Sequence, residues 1–140
     1  MRLFRIVLLC LVSSVCWAQA TPPQTPQQRV ETFLKQVAAG QSDQAIDQLF
    51  RGSGMAELKP QALQGMKSQT KAAMEVYGTA IGFEKIQEVD FSGSLKRFTY
   101  LQKFERYPVI WEVYFYKPKD TWVINQIVFN DQPGVLLGAK

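Results

Sequence analysis

The sequence contains no histidine, and both of its cysteines, Cys10 and Cys16, lie near the N-terminus. Histidine is the side chain that most often performs acid–base catalysis near neutral pH, so that common catalytic group is missing. Beyond residue 16 the chain has no thiol for a disulfide, a nucleophile or a metal ligand. No other motif points to such chemistry. We therefore expect no catalytic residue, no metal site and no cofactor.

The sequence also lacks a concentrated charge of one sign. Its formal net charge is +4, and two of the positive charges, Arg2 and Arg5, lie in the N-terminal segment. In the rest of the chain acidic and basic residues are interspersed, whereas a nucleic-acid-binding surface is usually a basic patch. No later apolar stretch is long enough to cross a bilayer. We expect no nucleic-acid partner, and no membrane association once the N-terminal segment is removed.

Residues 1–20 have the pattern of a secretory signal peptide: early arginines, an apolar run from Ile6 to Val12, and small residues at Ala18 and Ala20. The alternative is an uncleaved anchor, but the apolar run is too short to span a bilayer comfortably. We expect cleavage after Ala18 or Ala20 and a periplasmic or secreted protein.

Composition divides the remaining chain into three parts. Residues 21–28 form a leader rich in proline and glutamine, which favours extended, unpacked backbone. Residues 29–131 carry the periodic apolar patterns of a single α+β domain. Residues 132–140 form a C-terminal tail.

Three helices are predicted in the first half of the domain. Thr25, Pro26 and Gln28 form a capping box with proline at the first helical position, and an apolar stripe at helical spacing follows. A second, short helix starts at Ser42 and packs against the first as a hairpin. A third begins at Pro60 and ends at Gly78, and its stripe of apolar or small residues includes Met66 and Thr70.

From Phe83 onward the apolar period becomes two, which predicts four antiparallel strands. The last two form a hairpin with a turn at 117–120, where Pro118 favours a turn. With Lys117 opposite Asp120, Trp111 faces Gln126. Between the second and third strands the same alternation sets Gln102 against Trp111 and Phe98 against Phe115. Carried across the four strands, it predicts one helix-facing row that contains Gln87, Gln102, Trp111 and Gln126.

The opposite face of the sheet is predicted to be mixed and partly apolar. An exposed patch of this kind often marks association. A homodimer through the outer face is our hypothesis, and a monomer with scattered apolar residues is the alternative. The interface candidates are Ile110, Glu112, Tyr114, Tyr116, Val123, Asn125 and Ile127.

The helical hairpin VETFLKQVAAGQSDQAIDQLF, the third helix and the final hairpin VYFYKPKDTWVINQIVFND resemble the nuclear transport factor 2-like (cystatin-like α+β) superfamily. The resemblance is closest to small exported bacterial members of unknown function. It implies three N-terminal helices packed in the concave face of a curved four-stranded antiparallel sheet, with a pocket between the layers. It implies no particular reaction, since members include isomerases, dehydratases, ligand binders and adaptors.

The helix-facing row and two tyrosines supply the candidate pocket residues. Neutral amides and an indole in an apolar concavity suit a small neutral ligand. The alternative is that the glutamines meet water where the cone opens. Tyr77 and Tyr100 are the nearest candidates for a catalytic phenol, although a tyrosine that is simply hydrogen-bonded is commoner. The six candidates are Gln87, Gln102, Trp111, Gln126, Tyr100 and Tyr77.

The sequence therefore predicts an exported, non-catalytic domain that binds a small ligand or a protein partner. One alternative is an isomerase- or hydratase-like enzyme, and another is a structural, dimeric adaptor. A carboxylate beside Trp111 inside the cone would favour the enzyme, because acid–base catalysis needs a titratable group within reach of the substrate. A neutral lining would favour the binding domain.

Overall fold

The computed structural model describes residues 23–136, so the predicted signal peptide at 1–20 and its cleavage sites lie outside the described residues. Helices precede a single four-stranded antiparallel sheet of order β1-β2-β3-β4, which confirms the predicted α+β fold. Within the described part, no helix combines the length and apolar character needed to span a bilayer. The elements are α1 (Pro26–Ala38), α2 (Ser42–Leu49), α3 (Met55–Leu58), α4 (Pro60–Tyr77), β1 (Ala80–Ser92), β2 (Leu95–Phe104), β3 (Pro108–Tyr116), β4 (Val123–Asn130) and a 3-10 helix (Pro133–Leu136).

The start of α1 is the predicted capping box. The Thr25 hydroxyl accepts a hydrogen bond from the Gln28 amide at 3.2 Å, and the Gln28 side chain accepts one from the Thr25 amide at 2.9 Å. These bonds satisfy two donors that a helix start would otherwise leave free, and Pro26 fits the first helical position. The buried stripe of α1 is Val30, Phe33, Leu34 and Val37.

The predicted start of the second helix at Ser42 and the predicted bounds of the third, Pro60 and Gly78, are also present. Gly40, with φ +76°, turns the chain into α2, and Gly78, with φ +86°, follows the last residue of α4. Both angles favour glycine because a Cβ is disfavoured there. The short helix α3, which follows Gly54 at φ +72°, was not predicted.

Arg29 joins three parts of the fold. Its guanidinium donates to the carbonyl oxygen of Leu49, the last residue of α2, at 2.5 Å and to that of Trp122, just before β4, at 2.9 Å. It also lies 5.2 Å from the centre of the Phe115 ring. Burial lowers the pKa of Arg29. A helix C-terminus favours a cation, and the aromatic ring adds to this attraction, so α1 is tied to α2 and to the sheet.

The predicted pairing of β2 with β3 was wrong by two residues, but its faces were right. Gln102 lies opposite Val109 rather than Trp111, and Phe98 lies opposite Val113 rather than Phe115. A slip of two residues leaves each side chain on its face, because the side-chain period of a strand is two. The even-numbered residues of β2 and the odd-numbered residues of β3 therefore still face the helices.

The predicted pairing of β3 with β4 was wrong in a way that changes faces. Trp111 lies opposite Phe129, not Gln126, and Phe115 lies opposite Ile124. Two features cause the difference. The connection spans residues 117–122 rather than 117–120, and Asn125 is an extra residue at a register shift between these pairs. Such a bulge reverses the alternation beyond it, so the side chains of Ile127 and Phe129 point toward the helices.

The first strand departs from regular alternation as well. Three register shifts interrupt the pairing of β1 with β2. Phe83 lies opposite Gln102 on the helix-facing side, and Gln87 lies opposite Thr99 on the outer side. Bulges are frequent at sheet edges, where they bend the strand and disturb an otherwise continuous ladder.

The capping box yields a stability prediction. Thr25→Ala removes the side-chain oxygen that accepts from Gln28, and we expect the free energy of unfolding to fall by about 1 kcal/mol. Chemical denaturation monitored by circular dichroism measures the change. Thr121→Ala, in the exposed β3–β4 connection, is the matched control and should change stability by less than about 0.5 kcal/mol. Equal effects of the two substitutions would contradict the capping role.

Candidate functional site

A buried hydrogen-bonded glutamine links the helices to the sheet. Gln102 is 0 % exposed. Its side-chain amide donates to the carbonyl oxygen of Leu34 in α1 at 3.0 Å, and its side-chain oxygen accepts from the indole N–H of Trp111 at 2.8 Å. Buried polar groups need such partners, since an unpaired one costs about 1–3 kcal/mol. Gln102 is thus a structural residue, and its polar atoms are already engaged.

Trp111 is held in place by aromatic neighbours. The Phe33 ring meets the indole edge to face at a centroid distance of 5.0 Å, and the Phe129 ring lies 5.2 Å away. The indole is 1 % exposed. Because its N–H is bonded to Gln102, Trp111 offers only carbon surface to any further neighbour.

One side of Trp111 borders a cavity of ≈ 480 Å³ that opens to solvent. The cavity lies between α4 and the β3–β4 edge of the sheet, and α2 contributes one residue. Among the described residues that line it, none is charged, and only Gln69 and Thr70 carry polar side chains apart from the bonded indole. The lining residues are Ile46, Ala62, Gly65, Met66, Gln69, Thr70, Trp111, Ile127, Val128 and Phe129.

Thr70 is the unusual member of this lining. Thr70 is 1 % exposed, and its hydroxyl oxygen has no hydrogen-bond partner among the described residues. A threonine within a helix commonly bonds to the carbonyl four residues earlier, here Met66, but that bond is not made. A buried hydroxyl without a partner destabilises the fold by about 1–3 kcal/mol. The oxygen is itself buried, so a group placed in the cavity does not reach it in this conformation.

Gly65 leaves part of the α4 wall without a side chain. A Cβ built on Gly65 would meet nothing within 4 Å. The helix itself does not need glycine at this position, because its φ is not positive and glycine weakens a helix interior by about 1 kcal/mol relative to alanine. The absence of a side chain here keeps the cavity wide.

Two of the predicted pocket glutamines lie elsewhere. Gln87 is exposed and accepts a hydrogen bond from the Arg97 guanidinium at 3.0 Å on the outer face. Gln126 is exposed opposite Tyr114, also on the outer face. Their placement on the helix-facing side was wrong, because bulges in β1 and β4 reverse the alternation on which it was based. Of the predicted row, only Gln102 and Trp111 come together.

The two candidate tyrosines lie apart from the cavity lining. The Tyr100 hydroxyl donates to Glu31 of α1 at 3.2 Å, and burial, followed by the charge of Glu31, raises the pKa of Tyr100. The Tyr77 hydroxyl donates to Asp131 at 3.3 Å, and burial with the Asp131 charge raises its pKa. A raised pKa keeps each phenol protonated, so both act as hydrogen-bond donors between elements.

The outer face holds some, but not all, of the predicted interface residues. Glu112 pairs with Arg97 at 3.2 Å, the Tyr114 hydroxyl donates to Glu112 at 3.3 Å, and Tyr116 is 44 % exposed. Val123, opposite Tyr116, is half-buried, and Asn125 is exposed in the bulge. Association through this face stays a prediction.

Two interface candidates do not present an exposed surface. Ile127 packs against the core and lines the cavity, because the extra residue Asn125 turns it toward the helices. Ile110 is on the outer face but only 2 % exposed. It lies near the start of β3, opposite Asn130, the last residue of β4, and the 3-10 helix Pro133–Leu136 contacts β3.

Sequence reasoning missed most of the cavity lining, although one signal was present. Ile124 and Ile127 are three residues apart, with the polar pair Asn125 and Gln126 between them. Two apolar residues at that spacing cannot share a face of a regular strand, so a bulge was the consistent interpretation. It would have placed Ile127 and Phe129 beside Trp111.

The described residues contain no group of three or more acidic, histidine or cysteine side chains arranged to hold a metal ion. The polar cavity groups are one amide and one hydroxyl, which are weak ligands compared with carboxylates. The site's chemistry is therefore apolar contact plus neutral hydrogen bonding.

The helices on one side of a curved antiparallel meander, with a cavity between the layers, define a nuclear transport factor 2-like fold. A solved structure of a candidate NTF2-like transpeptidase from Campylobacter jejuni is similar, with a TM-score of 0.57 and 11 % identity over 72 % of this chain and 97 % of that one. At this identity the likeness concerns the fold alone. No family model and no curated protein matches the chain.

The Gln102 network predicts a non-additive pair of substitutions. Gln102→Leu leaves the buried Trp111 N–H without an acceptor and should lower the free energy of unfolding by about 2 kcal/mol. Trp111→Phe removes that donor. The losses in free energy of unfolding measured for the two single variants should sum to about 1 kcal/mol more than the loss measured for the double variant. Denaturant titration of the four proteins measures the coupling, and strict additivity would show that the bond contributes nothing.

The raised pKa of Tyr100 predicts a pH dependence. Above pH 10, the ordinary pKa of tyrosine, the unfolded chain loses the phenolic proton while the folded protein retains it. The unfolded state then binds fewer protons, so the free energy of unfolding falls as the pH rises. Tyr100→Phe removes the phenolic proton, so its free energy of unfolding should decrease less steeply with rising pH than that of the wild type. Denaturation midpoints between pH 8 and pH 11 test it, with the exposed Tyr116→Phe as control; parallel curves for wild type and Tyr100→Phe would refute it.

Proposed function

We propose that this protein is an exported domain that binds a small, neutral and largely apolar ligand without catalysing a reaction. The binding site is the cavity between α4 and the β3–β4 edge. The observation that carries the proposal is the combination of a volume of ≈ 480 Å³ with a lining that contains no charged side chain among the described residues.

The size and surface of the cavity support a ligand rather than water alone. Small-molecule sites typically measure about 300–1,000 Å³ and are lined mainly by apolar and aromatic side chains. Phe129 supplies aromatic surface, and Met66 supplies an adaptable side chain that tolerates different ligand shapes. Transfer of apolar ligand surface from water into this site is favourable by roughly 25 cal/mol per Å².

The polar groups of the cavity favour binding over catalysis. An isomerase or hydratase moves protons and needs an acid or base within hydrogen-bond reach of its substrate. The cavity offers instead the amide of Gln69 and the hydroxyl of Thr70. Neither group titrates near neutral pH, so this lining supports the binding domain over the enzyme that the fold would also accommodate.

Export is the second part of the proposal and rests on the sequence. The N-terminal pattern of arginines, a short apolar run and Ala18-Gln19-Ala20 is that of a cleaved signal peptide. Mass spectrometry of the protein recovered from the periplasm or medium should find a new N-terminus at Gln19 or Thr21. An intact N-terminal segment in the mature protein would contradict export by cleavage.

Filling the cavity tests the proposed site. Gly65→Leu places a side chain into open space in the α4 wall, so we expect the affinity for the neutral dye Nile red to fall at least about tenfold. The fold should be kept, because leucine is a stronger helix former than glycine by about 0.8 kcal/mol. Dye fluorescence titration and a thermal melt measure the two effects.

The matched control is Ala72→Leu, which adds a leucine at an exposed position of the same helix. It should bind Nile red as wild type does. If Gly65→Leu also binds like wild type while remaining folded, the ligand site is not this cavity. If the wild-type protein does not bind the dye at all, the proposed function itself is wrong.

A further inference from the structure

We infer that the ligand of the cavity is a short, neutral peptide in extended conformation, which pairs with the free edge of β4 at Ile127 and Phe129. This inference rests on the proposed function, and it adds the chemical class of the ligand. Its basis is the juxtaposition of a strand edge that has no neighbouring strand among the described residues with an uncharged cavity lined by side chains of that same strand.

The two edges of the sheet differ in how they are protected. Natural proteins usually block an exposed strand edge with charged side chains, proline or bulges, because its backbone groups can pair with another extended chain. β1, at one edge, carries charged residues such as Lys85 and Glu88 and has three register shifts. β4, at the other edge, contains neither a charged residue nor proline, and beyond the bulge at Asn125 its pairing with β3 is regular.

The hydrogen-bonding phase of the sheet shows which backbone groups face the β4 edge. The Lys117 amide donates to the Ser94 carbonyl oxygen at 2.8 Å, which makes these opposed residues a hydrogen-bonded pair. Hydrogen-bonded and non-hydrogen-bonded pairs alternate along an antiparallel ladder, and the ladder of β2 and β3 is regular. The odd-numbered residues of β3 therefore bond to β2, and its even-numbered residues bond to β4.

On β4, the partners of the even-numbered β3 residues are Gln126, Val128 and Asn130. Their backbone groups point to β3, so those of the intervening Ile127 and Phe129 point to the free edge. In the described part of the chain, no turn, loop or other element forms a backbone hydrogen bond with either residue. Two N–H groups and two C=O groups of β4 are thus open to a ligand.

The cavity adjoins this edge. The side chains of Ile127 and Phe129 point toward the helices and line it. Val128 also lines it, although its side chain points to the outer face, so the cavity extends to the main chain of β4. Because the cavity opens to solvent, a peptide that lies along the edge can place side chains inside it.

Pairing with β4 specifies the pattern of the peptide. In antiparallel pairing, the peptide residues opposite Ile127 and Phe129 exchange backbone hydrogen bonds with them and direct their side chains to the same face, into the cavity. The peptide residue between them directs its side chain to the outer face and its N–H to solvent. Since the described lining carries no charge, both inward side chains should be apolar, which gives the pattern apolar–x–apolar.

Three blocked tripeptides test the backbone pairing: acetyl-Leu-Ser-Leu-amide, the same peptide N-methylated at its second leucine, and the same peptide N-methylated at its serine. Displacement of Nile red gives their dissociation constants. We expect methylation at leucine to weaken binding by about fivefold to tenfold, the change that loss of one hydrogen bond of ordinary net strength produces. Methylation at serine is the matched control and should leave the affinity unchanged, because that nitrogen faces solvent.

Amide hydrogen exchange measured by NMR supplies a second readout. In the free protein we expect the amides of Ile127 and Phe129 to exchange faster than those of Gln126 and Val128, which are bonded to β3. Saturation with acetyl-Leu-Ser-Leu-amide should slow the exchange of Ile127 and Phe129 at least about fivefold. Saturation with Nile red should leave their exchange unchanged, because the dye has no backbone to pair with them.

The possible results separate the two proposals. Equal affinity of the three peptides, failure of the peptides to displace bound Nile red, or peptide binding without slower exchange at Ile127 and Phe129 refutes pairing with β4, while Gly65→Leu still reports on the cavity. Slow exchange of both amides in the free protein also refutes it, because a second copy or another part of the chain then covers the edge, and light scattering distinguishes these two. Failure of every peptide and of Nile red to bind refutes the proposed function itself.

Discussion

The hydrogen bonds of the Gln102 side chain are the constraint on which the arrangement of layers depends. One bond reaches the backbone of α1, and the other reaches the indole of β3. Apolar packing alone would allow the helix and sheet to slide, because it is non-directional. A buried amide with two fixed partners instead favours a single relative position. That position sets the indole against Phe33 and orients its carbon surface toward α4.

The same network explains how an apolar site can sit beside several polar residues. Trp111 has a polar N–H, and Gln102 has both a donor and an acceptor, yet these groups satisfy one another. What remains facing the cavity is mainly aliphatic and aromatic carbon, together with the side chain of Gln69. Arg29 adds stability at a distance from this site by joining α1, α2 and the sheet.

Much of the fold could be predicted from the sequence because its signals are local. Thr25, Pro26 and Gln28 specify a helix start within four residues, and Gly78 follows the last helical residue of α4. The faces of β2 and β3 were also correct, since a two-residue error in pairing preserves alternation. These features need no knowledge of distant contacts.

The candidate site was harder to predict for two physical reasons. Bulges depend on both paired strands, and they moved Gln87 and Gln126 to the outer face and Ile127 to the inner one. The open hydrogen-bonding capacity of Thr70 depends on atomic geometry that no periodicity encodes. The stripe of α4 identified Thr70 and Met66 as helix positions facing inward. It did not show that a cavity separates them from the strand opposite.

The bulge at Asn125 determines which of the later side chains of β4 face the helices. Were Asn125 paired in the ladder instead of bulged, the ladder would run without interruption from Ile124, and the side chains beyond it would exchange sides. Gln126 and Val128 would then face the helices, and Ile127 and Phe129 would face solvent. A relative that lacks this residue would keep the observed faces in a regular ladder, whereas one that pairs it would lose the apolar wall, so the bulge is more informative about this wall than a single substitution.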